Sequence, residues 1–78
     1  MVLKTLAQLK PGLGAVVKRI NGTGAIKRRL IDMGITPGVM VTVRRTAPIG
    51  DPMEITLRGY RLTLRRKEAG LIETEAPK

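Results

Sequence analysis

From Met53 to Leu64 the sequence MEITLRGYRLTL alternates apolar and polar residues, with Arg58-Gly59 at its centre. Successive side chains of a strand point to opposite faces, so a period of two specifies strands with one buried face. If Arg58-Gly59 forms a two-residue turn, Leu57 faces Tyr60, Ile55 faces Leu62 and Met53 faces Leu64. All six apolar residues then lie on one side. The other side pairs Thr56 with Arg61 and sets Glu54 near Arg61 and Arg65. This turn holds Arg58 at positive φ, a mild strain; a type I turn with a glycine bulge is the alternative.

The same period extends upstream, where Val39, Val41 and Val43 alternate with Met40, Thr42 and Arg44. Thr36-Pro37-Gly38 reads as a type II turn entering that strand, because Pro presets φ at the second position and Gly accepts positive φ at the third. Before it, Ile26, Leu30 and Met33 recur at helical spacing, with Thr23 as cap and Gly34 placed to close the helix. Ala15–Ile20 is a β-branched strand, and Ala47–Pro52 a stiff loop. Thr5-Leu6-Ala7-Gln8 has capping-box spacing for one helical turn carrying Leu6 and Leu9, stopped by Pro11-Gly12. Arg66–Gly70 reads as another helical turn, Leu71–Thr74 as a short closing strand and Ala76–Lys78 as a frayed tail. The expected fold is mostly β: a small, partly open, SH3-like five-stranded barrel with one intervening α-helix and short helical turns near both ends. The last strand should return to pair with the first, which removes an exposed edge.

At 78 residues the chain makes one domain, 1–78, with its core over about residues 3–75. A chain this short buries only about 60–65% of its extended surface. With no cysteine and one aromatic residue, Tyr60, the core falls to Leu, Ile, Val and Met. Lys4, Gln8 and Lys10 interrupt the N-terminal apolar residues, so no signal peptide is expected. No run approaches the roughly 20 apolar residues of a membrane span. The expected location is the cytoplasm, without direct membrane insertion.

Catalysis calls for a nucleophile with its base, a carboxylate pair or a metal with an open position. Histidine is absent, and Asp51 and Glu54 read as a turn residue and an outward strand charge. The chain reads as non-enzymatic, with no cofactor and no metal-ligating residue. Met33 and Met53 fall on core faces and Met40 on the opposite face of its strand. Gly12-Leu13-Gly14 and Gly22-Thr23-Gly24 match neither phosphate-loop pattern and are turns.

Fifteen Lys and Arg against six Asp and Glu give a net charge of +9, a field that draws an anionic partner. Arg44, Arg58, Arg61 and Arg65 share the outer sheet face. That row is either a solvated face that deters edge aggregation or a docking surface for an acidic partner. Nucleic acid is the runner-up partner, weakened because single-strand binders stack bases on exposed aromatics and Tyr60 is expected to point into the core. Self-association stays open.

One family carries this pattern. Leu6-x-x-Leu9-Lys10-Pro11-Gly12, Leu30-x-x-Met33-Gly34-Ile35-x-Pro37-Gly38, Ala47-Pro48-x-Gly50-Asp51-Pro52, Gly59-Tyr60-x-Leu62 and Glu68-Ala69 before Ile72 resemble FeoA-type ferrous iron transport accessory proteins. The resemblance spans roughly residues 3 to 75. It implies a small cytosolic SH3-like domain supporting FeoB, the membrane ferrous transporter with a cytoplasmic G-protein part. The implied role is docking or regulation, through the basic sheet face or a groove beside the helix. Transition-metal association is implied at family level only, and no catalytic residue carries over.

Overall fold

The computed structural model describes residues 4–46 and 52–75. Among the described residues six antiparallel strands make one sheet: β1 (Lys4–Thr5), β2 (Gly14–Ile20), β3 (Met40–Thr46), β4 (Met53–Leu57), β5 (Tyr60–Leu64) and β6 (Ile72–Glu75), in the order β1-β6-β2-β3-β4-β5. Helix α1 (Gly24–Asp32) joins β2 to β3, and the short α2 (Arg66–Ala69) joins β5 to β6. The sheet curls into a small barrel-like form without closing. The sixth strand corrects the expected five. Lys4–Thr5 becomes a strand only because β6, some seventy residues on, supplies a ladder at Thr74 and Glu73. The expected return of the closing strand is present, since β6 pairs with both β1 and β2.

The hairpin has the register set by its period. Met53 faces Leu64, Ile55 faces Leu62, Thr56 faces Arg61 and Leu57 faces Tyr60. Arg58 has φ 49° and Gly59 φ 84°, so the two-residue turn with both centres at positive φ is the one formed. Two bulges, between Val17 and Arg19 and between Val43 and Arg45, bend β2 and β3. Alternation alone cannot reveal them, because the extra residue only shifts the register.

The core consists of Leu6, Val17, Ile20, Leu30, Ile35, Val39, Val41, Val43, Met53, Ile55, Leu57, Leu64, Ala69 and Ile72. Leu30 is the buried residue of α1, whereas Ile26 is 39% exposed. Ile26 and Leu30 keep the helical spacing, but the first turn of α1 is not covered. Thr23 takes extended backbone at the cap without a side-chain cap bond. At the other end Gly34 has φ 97°, its N–H donates to the Ile31 carbonyl at 2.9 Å, and the Ile35 N–H donates to Leu30 at 3.1 Å. That pair of bonds is a Schellman closure. Val39 N–H then donates to the Thr36 carbonyl at 3.1 Å, closing the turn at Pro37-Gly38.

Tyr60 departs from its expected place. It stands on the core-facing side of β5 but is 44% exposed, and its hydroxyl donates to the Met33 carbonyl at 2.8 Å. An aromatic at a sheet edge has cover on one side only, and its polar tip takes the nearest free carbonyl of the helix end. At the N-terminus the Thr5 N–H donates to Gln8 Oε1 at 2.8 Å, so the capping-box arm forms around a single 3-10 turn, Leu6–Gln8. The expected loop Ala47–Pro52 lies outside the described residues as far as Asp51.

Candidate functional site: an arginine-lined sheet face

Residues that alternate out of the core on β3, β4 and β5 meet on the outer face of the sheet. There Met40, Thr42, Arg44, Thr56, Arg58 and Arg61 surround a concavity of about 410 Å³, with Leu57 and Gly59 completing its wall. β3 contributes Arg44 at the bulge, where the extra residue redirects the strand. The hairpin turn contributes Arg58, and β5 contributes Arg61 directly across from Thr56. Thus three of the four expected arginines line one site.

Arg65 is not among the lining residues. Its backbone ends the strand and caps α2, with its N–H donating to Glu68 Oε1 at 3.0 Å, and its side chain is exposed. Thr42, Thr56 and Met40, which is 47% exposed, line the same concavity and are not among the residues expected there from the sequence. The alternation that puts Arg44 outward puts Met40 and Thr42 outward as well, so the signal for them lies in the period and not in charge.

The electrostatics of this face differ from those elsewhere. Lys18 pairs with Glu75 at 3.4 Å, Arg19 with Glu73 at 3.2 Å and Arg29 with Glu68 at 2.8 Å. Among the described residues no ion pair or hydrogen bond engages the side chains of Arg44, Arg58 or Arg61. Three glutamates are therefore bound to cations away from this face. Guanidiniums without partners, beside two threonine hydroxyls and a methionine, can donate to carboxylates in bidentate fashion, and the methionine can cover an aliphatic side chain.

Glu73 shows how the partnered side behaves. The Asn21 side-chain amide donates to its carboxylate, and with Arg19 nearby this holds the group below the ordinary glutamate range against a smaller opposing effect of burial. A second concavity of about 330 Å³ lies between β2 and α1, lined by Lys18, Arg19, Ile20, Lys27, Ile31 and Pro37. This is the groove beside the helix. Two of its three cations are already paired, which leaves less unmet charge there.

No described helix is long and apolar enough to cross a membrane. Among the described residues no cluster of three or more Asp, Glu, His or Cys forms that could hold a metal ion.

The open, strongly bent sheet with its short helices is an SH3-like domain. Residues 4–76 match the FeoA domain, and the chain belongs to that family, which is associated with ferrous iron transport. A Fe(2+) transport protein A/Fe(2+) transporter FeoB fusion protein of Porphyromonas gingivalis is 37% identical over 70 residues, 90% of this chain. The chain spans 8% of that relative's length. The solution structure of a FeoA-like protein from Clostridium acetobutylicum superposes with a TM-score of 0.91 at 32% identity, covering 100% of this chain and 91% of the other. The zinc-complexed FeoA of Stenotrophomonas maltophilia superposes at 0.81 with 29% identity, over 91% and 88% of the two chains. It is described as a prokaryotic SH3 domain protein and a candidate ferrous iron transport activating factor.

Proposed function

We propose that this chain is a non-enzymatic accessory protein of ferrous iron uptake that docks on the cytoplasmic G-protein part of a FeoB-type transporter. The docking surface is the outer sheet face carrying Arg44, Arg58 and Arg61, with Arg65 at its margin. The observation that carries this reading is that Arg44, Arg58 and Arg61 lack partners among the described residues and surround one concavity. Carboxylates supplied by a partner would satisfy them.

The fused arrangement in the Porphyromonas gingivalis relative supports the choice of partner. Tethering two modules in one chain raises the effective concentration of each for the other to the millimolar range, which serves a weak, reversible contact. On this reading the protein acts in the cytoplasm and is peripheral to the membrane through its partner. It holds no cofactor of its own.

The test is a pull-down of the transporter's cytoplasmic domain by this chain at low and at about physiological salt. Capture at low salt that weakens as salt rises is the expected result, because screening shortens the reach of the arginine field. Absence of capture at low salt would remove the main support. Titration with single-stranded oligonucleotides at about 150 mM salt separates the nucleic-acid reading, which expects binding near micromolar.

A further inference from the structure

Strand β5 has a partner on one side only. It lies outermost in the sheet, and no described segment pairs with its far edge. The register fixes which of its backbone groups are left over. A two-residue turn makes Leu57 and Tyr60 a hydrogen-bonded pair, and pairs in an antiparallel ladder alternate. Tyr60, Leu62 and Leu64 therefore turn their N–H and C=O groups toward β4, while Arg61 and Thr63 turn theirs outward. Among the described residues no backbone group meets them there.

The side chains along this edge are sorted by face. Arg61 and Thr63 are exposed on the outer side, next to the turn residue Arg58. On the inner side Tyr60 is 44% exposed and Leu62 only half-buried, although both belong to the apolar face of the hairpin. The edge thus presents free hydrogen-bonding groups, cations above and incompletely covered apolar surface below.

We propose that the free edge of β5 is a strand-addition site for an extended acidic segment of a partner, with carboxylates on one face and aliphatic side chains on the other. This rests on the arginine face being a docking surface, but not on which protein supplies the segment. An added strand would bond to the outward groups of Arg61 and Thr63. Its residue opposite Arg61 would project to the outer face, where directly facing side chains sit about 5 Å apart, and a carboxylate there would meet the guanidinium. Its alternate residues would lie over Tyr60 and Leu62.

A second copy of the chain fits this edge poorly. Pairing β5 with β5 would bring two sets of Arg58, Arg61 and Arg65 onto one face, and like charges across a ladder destabilise it. The same arginines that exclude a neutral or basic strand admit an acidic one.

The test titrates the full chain, at low salt, with a short peptide alternating glutamate and valine. Binding and amide hydrogen exchange are followed by NMR. Exchange at Arg61 and Thr63 should slow by about tenfold or more at saturation, with smaller change at Tyr60 and Leu62, which already bond to β4. The same peptide N-methylated on the amides of one edge should lose binding, and a lysine–valine peptide should not bind. Thr63→Pro removes an outward N–H that takes no part in the hairpin, so it should weaken the glutamate–valine peptide by about tenfold. If that variant does not fold, the N-methylated peptide carries the same test.

Strand addition is wrong if the N-methylated peptide binds equally well and exchange at Arg61 and Thr63 is unchanged; the docking face would then stand without it. No binding by the glutamate–valine peptide also overturns it, as does a β5-to-β5 dimer seen by sedimentation and exchange. Loss of transporter-domain binding alone bears on the proposed function and leaves this edge chemistry intact.

Discussion

Gly34 and Arg58 show opposite uses of positive φ. At Gly34 (φ 97°) a Cβ would lie 2.8 Å from the Tyr60 hydroxyl oxygen, the same hydroxyl that donates to the Met33 carbonyl. Gly34→Ala therefore meets backbone strain and displaces a hydrogen bond, and should cost about 1–3 kcal/mol. In a domain of this size that is a fall in Tm of roughly 4–8 °C per kcal/mol, readable by thermal melting. Arg58 occupies the left-handed region at φ 49° without glycine's freedom. Arg58→Asn should relieve the turn and raise stability by some tenths to about 1 kcal/mol, while removing one cation from the proposed docking face. A variant that melts higher but binds the partner less well would show a strained residue kept for its charge. Equal binding would show that Arg58 is not part of the contact.

At the scale of elements, Glu68 joins α2 to α1. It is nearly buried, accepts the Arg65 N–H at the start of α2 through Oε1, and meets Arg29 of α1 at 2.8 Å through Oε2. Glu68→Ala should cost about 1–2 kcal/mol, mostly from the lost cap. Arg29→Ala should cost under about 1 kcal/mol, since the arginine is largely exposed and the pair is screened. Urea unfolding of both variants measures the difference. β6 gives a pH-dependent counterpart through Glu73, whose carboxyl is held below its ordinary range first by Asn21 and then by Arg19. A depressed acid contributes stability that is present above the unfolded pKa and is lost as pH falls through the folded one. The Glu73 contribution should therefore begin to fade as pH falls through the ordinary glutamate value and be gone below the lowered folded one. In Asn21→Ala, NMR titration should find the Glu73 pKa raised toward normal.

Elements whose local pattern and turn chemistry agree were legible in the sequence. The hairpin register was so because the period-two run and Arg58-Gly59 specify the same pairing. The turn at Pro37-Gly38 and the closure at Gly34 were legible for a similar reason. What was not legible depends on distant partners. β1 is too short to have a period and exists through β6, and the bulge at Arg44 is set by pairing with β4. Tyr60 and Ile26 follow their periods but sit where cover runs out, so periodicity names their face and not their burial. Of the candidate site, the arginine row could be read from alternation. Arg65 follows the same alternation, and the helical turn after it was legible too; its separation depends on where the concavity lies, between β3 and the hairpin turn, which alternation does not give.

For the whole molecule, a net charge of +9 is distributed unevenly in what it leaves unmet. Glutamates neutralise cations on the β2–β6 side and at α1, while on the β3–β4–β5 face Arg44, Arg58 and Arg61 stay open, although Glu54 shares that face across from Thr63. Placement of that open charge, more than its total, is what the docking proposal depends on. The direct measurement is the affinity of the transporter's cytoplasmic domain for two charge-reversed variants, Arg44→Glu/Arg61→Glu on the outer face and Lys18→Glu/Lys27→Glu beside the helix, at matched net charge. Docking through the outer face expects the first to lose binding by about tenfold or more, and the second to change it by only a few-fold through the overall field. Equal losses in both, or a larger loss in the second, would contradict it.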